Sequence, residues 1–488
     1  MSKILLINPQ FNITKANYQT SINMGLLCVA SYLNEHHIGV KLIDGIRQKD
    51  YLDLIKLELS RGDIDLVGLS VMTMQIGSAL EISQLIKNFN PRLPVIWGGV
   101  QATLFPRQVA SHPLVDVAVF GEGEKTILDL ISAFRLETDL RSVKGIAFKI
   151  KGEIVVNEKR DFLSAEELPL SDWSLMPEDI LQNITLIPTH TSRGCPHQCA
   201  FCINPITKNR WRAYTSDRVL DDLEKIKQLP YFQGKPLRFW DEDFFVDVNR
   251  AKEIIQGMIE RNLDFQWETT VRADYIRDRR IDDEFLSLIK KSGCYLLSFG
   301  GESGSERVLT QINKGISPDQ IIYSAGQTLK HGIIPQYSFM VGIPGENKED
   351  IFKTVRLIDK LTKLSPYVQI LGPQAFRPYP GSPLYQMCVA SGWLDPNDLD
   401  DWAKVIKDEL NYLSPHNFPW LKDVDLVESL EAYVRFGAHT MESALSSTVK
   451  SNQLAKMAFI LLCKLRWKLK FFKWPVEFKL AKKIIVKT

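Results

Sequence analysis

RGCPHQCAFC, residues 193–202, contains three of the chain's seven cysteines. Cys195, Cys199 and Cys202 follow a C-x3-C-x2-C spacing, directly after the strand-like run LIPTH (186–190). Five more strand-like runs with polar ends come later: PLRFWDEDFF (236–245), FQWETTVRAD (265–274), CYLLSFGGESG (294–304), IIPQYSFMVGIPGE (333–346) and VQILGPQAFRPYPG (368–381). Helix-like segments separate them, which predicts a partial (β/α)6 barrel over residues 186–384. The cysteines lie at the C-terminal end of its first strand, where barrel enzymes place their chemistry.

Thiolates this close together are ligands for soft metals, and three interpretations stay open. An iron–sulfur cube usually has four cysteines, so three cysteines leave one iron free to bind another molecule. A structural zinc site needs four ligands. His197 is the available fourth, although the short spacing makes a tetrahedron awkward to close. Three unligated cysteines in a loop are the third interpretation. We expect the iron–sulfur cluster.

The first 145 residues alternate short apolar runs with helical patterns. The runs are KILLIN (3–8), VKLID (40–44), DLVGLSV (65–71), PVIWGG (94–99) and VDVAVFGEGE (115–124). This alternation predicts a doubly wound, Rossmann-like parallel sheet, whose ligands bind beyond the C-terminal ends of the strands. Polar and glycine residues cluster at those ends: Asn8, Asp44, Ser70, Gly98, Gly99, Gly121, Glu122 and Gly123.

The rest of the chain is less regular. Residues 146–185 read as a linker, with a hairpin around Lys151-Gly152 and an irregular, Pro-punctuated stretch after it. Residues 385–488 show helical patterns only. The other cysteines are scattered through apolar stretches, which indicates no disulfide framework and favours the cytoplasm. We expect no signal peptide and no membrane-spanning helix.

The cysteine stretch, with Phe201 directly before the last cysteine, resembles the radical S-adenosylmethionine (radical SAM) superfamily. The resemblance implies that the three cysteines hold a 4Fe–4S cluster, whose open iron chelates the amino and carboxylate groups of S-adenosylmethionine. It implies reductive cleavage of that molecule to a 5′-deoxyadenosyl radical, and an external electron donor such as flavodoxin or ferredoxin. Phe201 is expected near the adenine.

The resemblance continues at two later strand ends. FWDEDFF is similar to an acidic segment in which Asp241 or Asp243 holds the ammonium group of the cofactor; a solvated acidic loop and a divalent-metal site are the alternatives. Arg272 is similar to the arginine near the cofactor carboxylate, where a fork of donors suits a planar anion. An ordinary ion pair is the alternative for Arg272.

Two further segments complete this set. SFGGESG resembles the fourth-strand segment, which implies that Glu302 and Ser303 contact polar groups of the cofactor. VGIPGE resembles the segment beside the adenine, where Gly342 and Gly345 let the backbone approach a flat base closely. A plain turn is the alternative for the two glycines.

Residues 1–145 resemble the cobalamin-binding domain found ahead of some radical SAM enzymes, through ILLINP, MGLLCVASYLNEHHIGVKLIDG, VGLSVMTMQ, GGVQATLFP and VFGEGEKT. The resemblance implies cobalamin above the strand ends, near Ser70, Thr73, Gly98, Gly99, Gly121 and Glu122. Many such domains carry a D-x-H-x-x-G motif with a cobalt-ligating histidine, but this chain reads DGIRQKD after its second strand. We therefore expect no histidine on the lower cobalt face, and His36 and His37 in solvent. A cobalamin-free, flavodoxin-like domain is the alternative.

The C-terminal tail is basic and apolar. From residue 455 onward there are ten Lys or Arg and one acid, Glu477, in a chain whose net charge is +2. Interleaved aromatic and basic residues predict a surface helix in a membrane interface. RNA binding and a lid packed on the protein are the alternatives. Membrane contact favours a lipid-like substrate.

Three functions compete. The first is a cobalamin-dependent radical SAM methyltransferase that acts on an unactivated carbon of a lipid-like or secondary-metabolite substrate, as the hopanoid methylases do. The second is radical cyclisation, oxidation or rearrangement, as in the anaerobic Mg-protoporphyrin ester cyclases. The third is a zinc-binding RNA or membrane module. We expect the first, in a cytoplasmic protein with peripheral membrane contact and no nucleic-acid partner.

Overall fold

The computed structural model describes residues 3–11, 22–408, 418–438 and 453–486. The chain divides into two compact units. The first unit is formed by Met1–Arg193, Ile206–Pro236 and Asp395–Tyr412, and the second by Gly194–Pro205, Leu237–Leu394 and Leu413–Thr488.

The first unit is built on a seven-stranded sheet with the order β2-β1-β3-β4-β5-β6-β7. Its strands are β1 (Lys3–Asn8), β2 (Gly39–Asp44), β3 (Ile64–Ser70), β4 (Val95–Gly98), β5 (Val117–Val119), β6 (Ile146–Ile150) and β7 (Glu153–Val156). The first five strands are parallel, and the last two add antiparallel pairs. The longer helices of this unit are Met24–Glu35, Tyr51–Ser60, Ile76–Phe89, Glu124–Leu136, Ser216–Gln228 and Leu399–Asp408. The predicted doubly wound sheet is confirmed.

The sequence explains why this sheet is covered on both faces. Ile4, Leu5 and Ile7 of β1 are fully buried, although successive side chains of a strand point to opposite faces. The polar residues come where the strands end. Asn8 pairs in register with Asp44, and its side-chain amide donates to the Asp44 carboxylate over 3.0 Å. Polar groups therefore gather at the C-terminal edge, as predicted.

The region predicted as a linker begins with regular structure. β6 and β7 form an antiparallel hairpin in which Ile150 pairs with Glu153. Lys151 and Gly152 have φ of 50° and 88°, so the turn lies in the left-handed region that favours glycine. The predicted hairpin is confirmed, and it extends the first sheet.

Three short strands belong to the first unit but not to its main sheet. They are β8 (Ile187–Thr189), β9 (Ser192–Arg193) and β10 (Arg212–Ala213). β9 and β10 pair antiparallel, with Arg193 opposite Arg212. This pairing fixes the backbone just ahead of the cysteine loop.

In the second unit, five parallel strands lie side by side in chain order. They are β11 (Leu237–Phe239), β12 (Trp267–Val271), β13 (Cys294–Glu302), β14 (Ile334–Val341) and β15 (Gln369–Ala375). Helices connect them, the longer ones being Val248–Glu260, Asp283–Lys291, Pro318–Lys330 and Lys348–Leu364. The partial-barrel fold class is confirmed.

Alternate residues of β14 show which face of these strands is covered. Tyr337, Phe339 and Val341 are buried, whereas Gln336 and Ser338, which alternate with them, are half-buried. The buried set packs in the hydrophobic core, and the polar set faces the interior of the partial barrel.

The C-terminal region of the described chain is helical, as predicted. Its helices are Pro383–Ala390, Val424–Tyr433, Gln453–Leu469 and Val476–Val486, with a π-helical turn at Val434–Ala438. Phe436 and Phe459 pack edge to face, with ring centroids 5.6 Å apart. Within the described residues, no helix is both long and apolar enough to cross a bilayer.

Candidate functional site

The cysteine loop forms the N-terminal part of the second unit. Cys199 is buried, and Cys195 and Cys202 are half-buried. The Ala200 amide donates to the Ile312 carbonyl over 2.8 Å, which ties the loop to the segment after β13. Burial, together with nearby Asp243, Cys202 and Cys199, raises the pKa of the Cys195 thiol to about 11. The three sulfurs therefore form one group that a cationic partner stabilises as thiolates.

His197, between Cys195 and Cys199 in the loop, contacts Tyr275 and Asp243. The Tyr275 hydroxyl donates to the Asp243 carboxylate over 2.8 Å and lies 2.7 Å from His197 Nε2. Ligand atoms of Cys195, His197 and Asp243 all lie within 4.8 Å of one another. Geometry alone thus permits a mixed Cys-His-Asp metal site beside the three-cysteine loop.

A cavity of about 290 Å³ opens inside the partial barrel. Asp243 and Arg272 line it, together with Lys314, which the sequence did not single out. Arg272 Nε donates to Asp274 over 2.9 Å and Nη2 donates to the Lys314 carbonyl over 2.8 Å, so the ion pair given as the alternative is present, and Arg272 also lines the cavity. Lys314 pairs with Glu302 over 2.8 Å, and its ammonium lies 5.6 Å from the Phe201 ring.

Six other residues of the predicted cofactor set lie outside the lining of this cavity: Phe201, Asp241, Glu302, Ser303, Gly342 and Gly345. Asp241 is buried, and its charge acts on Arg250. Ser303 is fully buried, with its hydroxyl 3.1 Å from that of Thr354.

The two glycines belong to a tight turn after β14. Gly342 has φ of 79°, and a Cβ there meets Leu421 Cδ2 at 2.8 Å, so only glycine fits. Gly345 has φ of 82°, and its carbonyl accepts from Arg307.

A second cavity, of about 230 Å³, lies in the first unit at the C-terminal ends of its parallel strands. Five of the six residues predicted near cobalamin line it: Ser70, Gly98, Gly99, Gly121 and Glu122. The sixth, Thr73, is buried and donates to the side chain of Gln101 over 3.0 Å. The walls are otherwise mostly aliphatic or glycine. Such a slot suits a flat ligand with a polar rim.

Comparison with known proteins identifies the family. The model of the radical SAM superfamily matches residues 189–358, and that of the B12 binding domain matches residues 13–131. An uncharacterised methyltransferase of Pyrococcus horikoshii is 30% identical over 401 residues, which cover 80% of this chain and 84% of that protein. The chain belongs to the family of cobalamin-dependent radical SAM methyltransferases.

Other relatives of this radical SAM enzyme are more distant. An anaerobic magnesium-protoporphyrin IX monomethyl ester cyclase of Rubrivivax gelatinosus is 24% identical over 348 residues, which cover 67% of this chain and 60% of the cyclase. The structure of the cobalamin-dependent S-adenosylmethionine radical enzyme OxsB superposes with a TM-score of 0.71 at 20% identity, covering 96% of this chain and 72% of OxsB. The methyltransferase TsrM from Kitasatospora setae superposes with a TM-score of 0.67 at 16% identity, covering all of both chains. These two likenesses support the fold.

Family membership decides between the metal interpretations. The radical SAM enzyme uses a 4Fe–4S cluster and S-adenosylmethionine, and its B12 binding domain takes cobalamin. The three grouped thiols fit the cluster, and His197 is engaged by Tyr275. The slot in the first unit fits cobalamin, because Gly121 lines it and leaves open space, with nothing within 4 Å of the position of a Cβ. His36 and His37 are exposed, as expected.

Sequence reasoning missed the arginines that hold Glu122. Arg212 donates to the Glu122 carboxylate over 2.6 Å and Arg193 over 3.2 Å, while Arg193 also pairs with Glu124 over 2.7 Å. Arg193 lines the cavity of the first unit. The only sequence signal was its position, two residues before Cys195.

Replacement of Glu122 by glutamine is expected to lower the free energy of unfolding by about 2 kcal/mol at neutral pH, since it leaves the half-buried Arg212 without a counter-charge and Arg193 with Glu124 alone. Burial alone raises the pKa of Glu122, but Arg212 and Arg193 outweigh it and lower the pKa below its ordinary 4.5. The difference between the two proteins should therefore be complete above that value and shrink as the pH falls through the lowered pKa.

Urea unfolding at several pH values measures this difference. Glu35→Gln, at an exposed position on helix Met24–Glu35, is the matched control and should change little. Equal destabilisation by the two variants would contradict the role of Glu122.

Proposed function

We propose that this radical SAM enzyme methylates an unactivated carbon of a lipid-like or secondary-metabolite substrate. The observation that carries the proposal is the presence, in one chain, of the cysteine loop and of a slot that fits cobalamin. When bound, the cluster supplies the electron that cleaves S-adenosylmethionine, and cobalamin supplies a transferable methyl group. Flavodoxin or ferredoxin is the class of electron donor that we propose.

The residues of the second unit would bind S-adenosylmethionine by charge. Asp243 would hold the ammonium group and Arg272 the carboxylate, because both line the same cavity. Lys314 keeps the Glu302 carboxylate in place beside Gly300, where a polar group of the cofactor would contact it. Phe201 would lie along the adenine, near the ammonium of Lys314.

Radical cyclisation without methyl transfer is the second candidate. It is favoured by the similarity to the magnesium-protoporphyrin ester cyclase, which covers 67% of the chain. Both reactions consume S-adenosylmethionine and need the same cluster. They differ in whether the methyl carbon of S-adenosylmethionine ends in the product.

Isotope labelling separates the two candidates. The loaded enzyme would be incubated with reductant, extracts of the cells that encode it and S-adenosylmethionine carrying a carbon-13 methyl group. Methylation predicts a new metabolite that contains the label, together with both S-adenosylhomocysteine and 5′-deoxyadenosine. Products that contain 5′-deoxyadenosine but no labelled metabolite and no S-adenosylhomocysteine would favour cyclisation.

The C-terminal tail supports a second proposal, peripheral membrane contact. Helix Gln453–Leu469 buries Ile460, Cys463 and Trp467 against the protein, as a lid would. Its other face remains apolar, because Leu461, Leu465 and Leu469 are more than half exposed, as are Trp474, Val476 and Leu480 beyond it. Exposed large apolar side chains in such a group mark interaction surfaces.

Charge favours an anionic membrane as the partner of this face. Lys468 and Lys473 are exposed and have no acidic partner within the described residues. Other basic residues are neutralised: Arg466 pairs with Glu477, and Lys470 with Asp359. A segment that binds nucleic acid does not need so many exposed apolar side chains. A helix that lies in a membrane interface uses both apolar side chains and lysines.

Replacing both Leu461 and Leu465 by glutamate should reduce binding to vesicles of phosphatidylcholine and phosphatidylglycerol by about tenfold or more. Co-sedimentation with the vesicles measures the bound fraction of the protein. Leu394→Glu changes a residue that is 78% exposed outside the tail and should bind like the original protein. The proposal fails if the original protein does not bind these vesicles, or binds labelled RNA instead.

A further inference from the structure

The interior of the partial barrel carries a row of polar side chains that no cofactor role uses. Thr270, Ser298, Gln336 and Gln369 lie at paired positions on four neighbouring strands. The Ser298 hydroxyl donates to Gln336 Oε1 over 2.9 Å, and Gln336 Nε2 donates to Gln369 Oε1 over 2.7 Å. Ser298 and Gln336 line the cavity. Hydrogen-bonding groups thus cover a surface that an apolar core would fill with aliphatic side chains.

Arg238 of β11 lines the same cavity and has donors to spare. Its Nη1 donates to Glu268 over 2.7 Å, and the guanidinium lies 4.1 Å from the Trp240 ring. Its Nε is buried and makes no hydrogen bond, and Nη2 has no acceptor in the described part of the chain. These two nitrogens form one edge of the planar guanidinium, which matches the two oxygens of a carboxylate or phosphate.

Glu268 holds this edge in position. It accepts hydrogen bonds from Arg238 and from the hydroxyl of Tyr295. Glu268 is also buried, so the pair restricts the arginine to one orientation. A pre-oriented fork of donors binds a planar anion with little loss of side-chain entropy.

The polar row lies deeper than the groups that would bind S-adenosylmethionine. Gln336 precedes Ser338 by two residues, and Ser298 precedes Gly300 by two. Because a strand rises about 3.3 Å per residue, the row lies about 7 Å further from the C-terminal ends of the strands. Asp243 and Arg272 lie at those ends, directly after β11 and β12. The inner end of the cavity is therefore open to a different molecule.

We propose that Arg238, with the second N–H of the Gln336 amide, which Ser298 holds in place, binds a carboxylate or phosphate group of the substrate. This inference rests on the proposed function and names the class of its methyl acceptor. A lipid-like substrate fits only if it carries such a group, since a plain hydrocarbon leaves the donors of Arg238 without an acceptor. An acidic secondary metabolite satisfies them directly.

Fluorine NMR of three small probes tests the proposal on the full, cluster-loaded protein. The probes are para-fluorobenzoate, para-fluorophenyl phosphate and the neutral para-fluorobenzamide. Both anions should bind more tightly than the amide. Arg238→Met should weaken the anions by about ten- to a hundredfold, because it removes a charge-assisted bidentate pair, and should leave the amide unchanged.

Two further variants keep the experiment decisive. Arg238→Lys retains a charge for Glu268 in case the methionine variant does not fold, but it loses the planar fork, so anion affinity should still fall by about tenfold. Arg356→Lys, at an exposed position on helix Lys348–Leu364, should bind both anions like the original protein.

The proposal is overturned if the anions bind no better than the amide, or if Arg238→Lys binds them as the original protein does. Tighter binding of one anion decides between a carboxylate and a phosphate on the substrate. Because the probes bind without reacting, their result does not depend on methyl transfer. Absence of labelled methyl product with intact anion binding would instead count against the proposed function.

Discussion

Cys199→Ser should leave the protein almost free of iron, whereas the original chain carries about four irons when reconstituted anaerobically. Cys199 is a buried member of the three-cysteine group, and a serine hydroxyl is a poor ligand for a soft metal. Reductive cleavage of S-adenosylmethionine should be lost with the iron. Iron and sulfide analysis, together with the visible absorption of the cluster, measures the effect.

Cys294→Ala is the matched control for this substitution. Cys294 begins β13 and is fully buried, with its thiol directed at the Leu296 carbonyl. Its substitution should lower stability by about 1 kcal/mol and leave the iron content unchanged. If Cys294→Ala loses the iron and Cys199→Ser keeps it, the assignment of the cluster ligands is wrong.

Gly98→Leu should abolish cobalamin binding without affecting the iron. Gly98 lines the cavity of the first unit, and a Cβ there meets no atom closer than 4.0 Å, so a leucine is tolerated by the backbone and extends into the slot. A filled slot cannot hold the cofactor, and we expect affinity to fall by about a hundredfold or more. Titration with hydroxocobalamin, followed by its visible spectrum, measures the loss.

The control for this substitution is Gly326→Leu. Gly326 lies at an exposed position on helix Pro318–Lys330, where an added Cβ meets nothing within 4 Å. This variant should bind cobalamin like the original protein. Normal cobalamin binding by Gly98→Leu would show that the cofactor lies elsewhere on the first unit.

The sequence predicted those features that depend on local pattern. Short apolar runs predicted the strands, and the cysteine spacing predicted the grouped thiols. Residues at strand ends, such as Ser70 and Gly98, were expected at one cavity because the C-terminal ends of parallel strands meet at one edge. These inferences needed only periodicity and topology.

Side-chain direction and distant partners could not be predicted in the same way. The register of β13 against β14 shifts between Gly300 and Glu302, and Glu302 has φ of 60°. This irregularity turns Ser303 away from the cavity and toward Thr354. The spacing of residues in the sequence does not predict such a register shift.

The ion pairs of the arginines could not be predicted, because their partners are distant in the sequence. Glu122 pairs with Arg212, 90 residues later in the chain, and Arg238 pairs with Glu268, 30 residues later. Such pairs form only when separate elements pack together, so a single sequence does not reveal them. One member of each pair, Glu122 or Arg238, lines a cavity.

The most direct test of the account is the content of iron, sulfide, zinc and cobalt per chain in protein prepared anaerobically with cobalamin. We predict about four irons with equal sulfide, stoichiometric cobalt and no zinc. Iron without cobalt would leave the radical chemistry in place but contradict the two-cofactor assignment. Zinc without iron would contradict the assignment of the three cysteines as ligands of a 4Fe–4S cluster.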